Sequence, residues 1–111
     1  MPLTILHNPK CSKSRKSLEI LKKSGKSFVI KDYMASAITP EELKEVLKKL
    51  KASPRQILRE KEANEAGIAH LNGLELLNAI CKNPRTLERP IVINEDKAVI
   101  GRPPENILKI L

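Results

Sequence analysis

The reactive chemistry concentrates in one stretch. In "HNPKCSKSR", residues 7–15, Cys11 follows Lys10 and Pro9 and precedes a polar, basic segment. A cysteine with polar flanks is not a core residue; it is placed to react. Ahead of it, "LTIL", residues 3–6, reads as a buried strand. Behind it, "KSLEILKKSG" reads as a helix, with Leu18, Ile20 and Leu21 apolar, lysines near its end and Gly25 as its stop. Cys11 therefore falls at a strand-to-helix junction. A helix N-terminus carries unpaired N–H groups and partial positive charge. Both favour thiolate over thiol and raise nucleophilicity at neutral pH. Lys10, Lys13 and Arg15 add positive charge nearby, and the same N–H groups hold oxyanions. Ser12 and Ser14 supply hydroxyl donors for the sulfur or for an anion, and His7, at the strand end, is close enough in sequence to tune the thiolate. The competing reading is a small buried cysteine ringed by solvated lysines. The polar flanks weigh against it.

The residue three after Cys11 is Ser14, so the motif is C-x-x-S and no local disulfide can close. Turnover needs a thiol from elsewhere. The other cysteine, Cys81, ends the apolar run "LLNAIC" and reads as a core-facing helical residue. Three arginines stand beside distinctive wording. Arg89 precedes a proline that opens the strand "PIVI", residues 90–93, and in this layout that proline is a candidate for a cis peptide facing Cys11. Arg102 sits in "GRPPE", a tight turn after the strand "KAVI", residues 97–100. Arg59 sits in "ILRE". Arginine forks match tetrahedral oxyanions, although each arginine taken alone reads first as a solvated charge.

The elements that must position these residues follow an order β-α-β, then helices, then β-β-α. "SFVI", residues 27–30, reads as a second strand, parallel to the first through a right-handed crossover. "ITPEELKEVLKKLK" carries Thr39 as cap, Pro40 in the first turn and Glu42 completing a capping box, with Leu43, Val46, Leu47 and Leu50 in one stripe. "SPRQILRE" repeats that device as a shorter helix, "EANEAGIAHL" reads as a loop, and "NGLELLNAICKNP" as a helix capped by Asn72. "PPENILKIL" reads as a closing helix, and the strands at 90–93 and 97–100 as a hairpin. Without the middle helices, roughly residues 36–85, this is a thioredoxin-like α/β layout: a four-stranded mixed sheet with helices packed on it. One domain with a helical insertion is expected from 111 residues. Two cysteines make no disulfide framework, and no metal or bound cofactor is expected. No apolar run approaches the ~20 residues of a membrane helix, and the first residues lack a signal-peptide pattern, so a cytoplasmic protein is expected. The net charge of +8 fits a lysine-coated surface, a nucleic-acid surface or a few arginines serving a small anion. With Phe28 and Tyr33 the only aromatics, a stacking single-strand binder is disfavoured.

Taken together and in order, "HNPKCSKSR", "RPIVI" and "GRPPE" resemble the glutaredoxin-dependent, thioredoxin-fold arsenate reductases, over nearly the whole chain. The resemblance implies that Cys11 attacks arsenate, that glutathione displaces at arsenic, and that glutaredoxin takes up the glutathione before arsenite leaves. It implies that Arg59, Arg89 and Arg102 bind the anion, that His7 and Ser14 stabilise the thiolate, and that Arg15 closes the loop and joins the anion-binding set. The segment near residues 62–72 is shorter than is usual in that family, and its long C-terminal extension is missing. A rival from another class is the Spx-type regulator, which shares the fold, binds RNA polymerase and carries a C-x-x-C switch. Ser14 in the place of the second cysteine, and Arg102 in "GRPP", favour the reductase.

Overall fold

The computed structural model describes residues 2–111. They form two compact units, one built from the chain up to Ser36 together with Arg89–Leu111, the other from Ala37–Glu88. The first unit contains β1 (Thr4–His7), α1 (Ser12–Lys23), β2 (Val29–Asp32), β3 (Ile91–Asn94) and β4 (Lys97–Ile100). The strands form one sheet in the order β2-β1-β3-β4. β1 and β2 are parallel, β3 is antiparallel to β1 and β4 to β3. This is the thioredoxin-like mixed sheet that the element order predicts.

β1 is buried at all four positions, as an inner strand must be. Its Ile5 meets Val92 of β3, and both join Leu3, Leu21 of α1 and Ile107 in one core cluster. Leu18, Ile20 and Phe28 pack around that cluster. Fully burying a leucine or isoleucine contributes about 1.5–3 kcal/mol, so the cluster fastens α1 to the sheet. The buried positions of α1 are Ser14, Ser17 and Leu21, spaced as one helical stripe but small at its first two members. The helix is capped at Ser24, and Gly25 follows at φ +75°, the left-handed position that glycine fills without a Cβ clash.

The second unit holds α2 (Pro40–Leu50), α3 (Glu60–Ala66) and α4 (Gly73–Lys82). The Thr39 capping box is present: the Glu42 N–H donates to Thr39 Oγ1 at 3.1 Å, and the Thr39 N–H to Glu42 Oε1 at 3.3 Å. Leu43, Val46 and Leu47 are buried as the stripe predicts.

Three element readings need correction. The segment expected to be a loop, residues 62–71, holds most of α3, which starts at Glu60 and ends where Gly67 turns left-handed at φ +73°. Its only buried member is Ala63, so it shows no apolar stripe; Glu60 and Glu62 in its first turn favour it through the helix dipole. "SPRQILRE" is a 3₁₀ turn, Pro54–Ile57, instead of an α-helix. Leu58 leaves it in extended conformation to bridge Leu87, and the Arg59 N–H and Thr86 carbonyl bond at 2.7 Å, so the chain turns away before an α-turn can propagate. The closing helix is likewise 3₁₀, Pro104–Ile110. There the Asn106 side chain donates to the Arg102 carbonyl at 3.1 Å, a local bond of the kind that competes with α-helix.

Candidate active site

Cys11 is the N-cap of α1, with extended backbone (φ −93°, ψ 124°), and is half-buried. The loop that presents it is tied down by Asn8 and Ser14. The Cys11 N–H donates to the Asn8 carbonyl at 3.0 Å, and the Lys10 N–H donates to Asn8 Oδ1 at 3.0 Å. The Asn8 N–H donates to Ser14 Oγ at 3.0 Å, which also bonds His7 Nδ1 at 2.7 Å. Arg15 closes the loop from outside, its Nη1 donating to the Pro9 carbonyl at 2.9 Å.

The sulfur stands where an N-cap oxygen would, without a closed capping bond. Partial burial pushes the Cys11 thiol up. That is outweighed by the N–H groups of Ser14 and Lys13 and by the Arg89 side chain, which acts through a hydrogen bond and its charge, so the net shift is downward. A long way off in sequence, Arg89 is delivered by the Arg89–Pro90 peptide, which is cis as the layout suggested; Arg102–Pro103 is cis too. Arg102 Nη1 donates to the Arg89 carbonyl at 3.0 Å. Arg102 thus holds the backbone of the residue whose side chain meets the sulfur.

The model of the ArsC family matches residues 6–110, which spans both the Cys11 loop and the Arg102 turn. The chain belongs to the ArsC family. An arsenate reductase of Haemophilus influenzae is 41% identical over the full length of both chains. One of Neisseria meningitidis serogroup A is 40% identical, over 98% of this chain and 97% of that protein. The solved structure of an arsenate reductase from Vibrio cholerae superposes with a TM-score of 0.87 at 35% identity, covering both chains completely.

Within this ArsC-family chain the expected site residues are distributed unevenly. Cys11, His7, Ser14, Arg15, Arg89 and Arg102 all belong to the unit that holds the sheet. Arg59 belongs to the Ala37–Glu88 unit, where it is the N-cap of α3 and pairs with Glu62 and, at 3.4 Å, Glu88. Cys81 is buried on α4 in that same unit; burial, then Glu41 and Glu42, push its thiol up. His7 bonds Ser14 and acts on the loop, not by a bond to the sulfur. Two contributors escaped the sequence reading. Asn8 carries three of the loop's bonds, and its place before a proline is the signal that could have marked it. Asp32, the register partner of His7, is the other. A cavity of about 260 Å³ opens beside the loop, lined by Asn8, Pro9, Lys10, Asp32, Met34 and Ala35.

The His7 ring gives a pH dependence. Burial lowers its pKa, Asp32 raises it less, and Arg15 and Lys22 lower it further, so the net is below 6.5. A histidine with a depressed folded pKa is favoured neutral in the native state. The unfolded chain then binds more protons as pH falls through 6.5, and stability drops across that window until the folded ring also titrates. Urea unfolding should show this acid limb as pH falls below about 6.5 and before the carboxylates titrate, and His7→Gln should remove it. A wild-type protein equally stable across that window contradicts the buried neutral ring.

Proposed function

We propose that the protein reduces arsenate or a closely similar oxyanion, with Cys11 as nucleophile and with glutathione and glutaredoxin supplying the electrons. The observation that carries this reading is the surroundings of one atom: the Cys11 sulfur lies at the start of α1 among the Ser14 and Lys13 N–H groups and the Arg89 guanidinium. Those donors favour the thiolate, and they also offset the charge of an anion approaching it. Supporting it, relatives of this length and about this similarity bear the name arsenate reductase.

The chemistry runs in four steps. The Cys11 thiolate attacks As(V), a sulfur–arsenic bond forms and one oxygen leaves as water. Glutathione replaces a second oxygen, which also leaves as water. A glutaredoxin thiolate then attacks the glutathione sulfur. The new disulfide forms as the bond between that sulfur and arsenic breaks, and the bonding pair stays on arsenic, which becomes As(III). Water finally releases arsenite from Cys11. The two electrons come from two thiols that end as a glutathione–glutaredoxin disulfide. C-x-x-S suits this route, because Ser14 cannot trap Cys11 in a local disulfide.

In this scheme Arg89, Arg102 and Arg15 bind and orient the anion, while His7 and Ser14 hold the loop that presents the thiolate. Arg59 is assigned to the same anion on the family wording "ILRE" alone. A cytoplasmic setting, where thiols stay reduced, fits the chemistry, and no helix of the described residues is long and apolar enough to cross a membrane. The test is arsenite production by the pure protein with arsenate, glutathione and glutaredoxin. Turnover that needs all three supports the scheme. No arsenite under those conditions overturns the substrate assignment, and turnover without glutathione overturns the electron route.

A further inference from the structure

Gly101, immediately after β4, is buried, and its N–H donates to the Pro90 carbonyl at 2.9 Å. Its backbone is not left-handed, so conformation does not call for glycine; space does. A Cβ there would stand 2.6 Å from Ser17 Oγ, 2.9 Å from Pro90 Cγ and 3.4 Å from Ile107 Cγ2. The first two separations are well inside the ~3.5–4.0 Å of ordinary contact between carbon atoms, so a neighbour would have to move. Ser17 lies one turn beyond Ser14 on the buried stripe of α1. Its hydroxyl is buried without a hydrogen-bond partner, so fit, not bonding, keeps it there. Residues 101 and 102 together grip the Arg89–Pro90 segment: the Gly101 N–H takes the Pro90 carbonyl, and the Arg102 guanidinium takes that of Arg89.

We infer that Gly101 is a positioning residue for the Cys11 site: its missing side chain lets Ser17 of α1 and Pro90 both close on its backbone, so that the first turn of α1 and the Arg89 guanidinium meet at one sulfur. The two elements that surround the sulfur would otherwise be wedged apart where Gly101 meets both. This inference rests on the Cys11 reading above and adds the packing that sets its geometry.

The test follows alkylation of Cys11 against pH, in a Cys81→Ala background, for four proteins. Gly101→Ala should shift the thiol titration upward and slow alkylation by about tenfold near neutral pH, the scale of removing one charge-assisted hydrogen bond, while the far-ultraviolet spectrum keeps its native shape. Removing the opposing hydroxyl in the double variant S17A/G101A should recover most of that loss. Ser17→Thr, which enlarges the side chain whose hydroxyl faces Gly101, should shift the titration in the same direction as Gly101→Ala. It carries the test if Gly101→Ala does not fold. An unchanged titration in Gly101→Ala or in Ser17→Thr overturns the inference, as does a double variant no better than the single one. A parent protein that titrates like the unfolded chain overturns the Cys11 reading itself, and is told apart by that alone.

Discussion

Arsenite production should fall by at least about a thousandfold in Cys11→Ser protein, the scale of losing a covalent nucleophile, and stay within about twofold of wild type in Cys81→Ala. The contrast follows from the two environments. Cys11 is half-buried at a helix start, with its thiol pushed down by neighbouring N–H groups and Arg89. Cys81 is buried on α4, with its thiol pushed up by burial and two glutamates. A serine hydroxyl keeps roughly the size of the Cys11 thiol but stays protonated at neutral pH, so the N-cap donors have no anion to stabilise. Steady-state assays with glutathione and glutaredoxin in excess read both variants. Loss of turnover in a folded Cys81→Ala protein would make Cys81 the resolving thiol and remove glutathione from its assigned step.

Arg89 should show the second-largest effect. Arg89→Ala removes a hydrogen bond and a charge from the sulfur, and in the proposed function a ligand from the anion. One preorganised donor aimed at developing charge is worth roughly a hundredfold or more in turnover. So kcat/KM should fall by about that factor, and the Cys11 titration should move up. Arg89→Lys keeps the charge but not the planar fork, and should recover the titration more fully than the turnover. An Arg89→Ala protein with wild-type kcat/KM would remove Arg89 from the reaction.

Much of this was legible in the sequence because the signals are local. Thr39, Pro40 and Glu42 announce a helix start within four residues, and the capping box is there. Cys11 stands between an apolar run and a helical stripe, so its junction could be read from spacing alone, and the ordered wording around Arg89 and Arg102 supplied the family. What was illegible depends on partners far along the chain. α3 buries only Ala63, so no periodicity betrays it. The 3₁₀ turn at Pro54–Ile57 is cut short by a bridge from Leu58 to Leu87, which nothing near residue 58 encodes. Ser17 and Gly101 look like an ordinary helical serine and a turn glycine until the fold brings them together.

The central claim is that the fold makes Cys11 a thiolate, and its titration tests that most directly. Thiolate absorbance is followed against pH in Cys81→Ala protein, first folded and then unfolded in urea. The folded protein should titrate at lower pH than the unfolded chain, because the Ser14 and Lys13 N–H groups and Arg89 outweigh partial burial. By linkage, that shift also adds stability as pH rises through the folded value. A folded titration at or above that of the unfolded chain would contradict the activated nucleophile, and with it the reaction built on it.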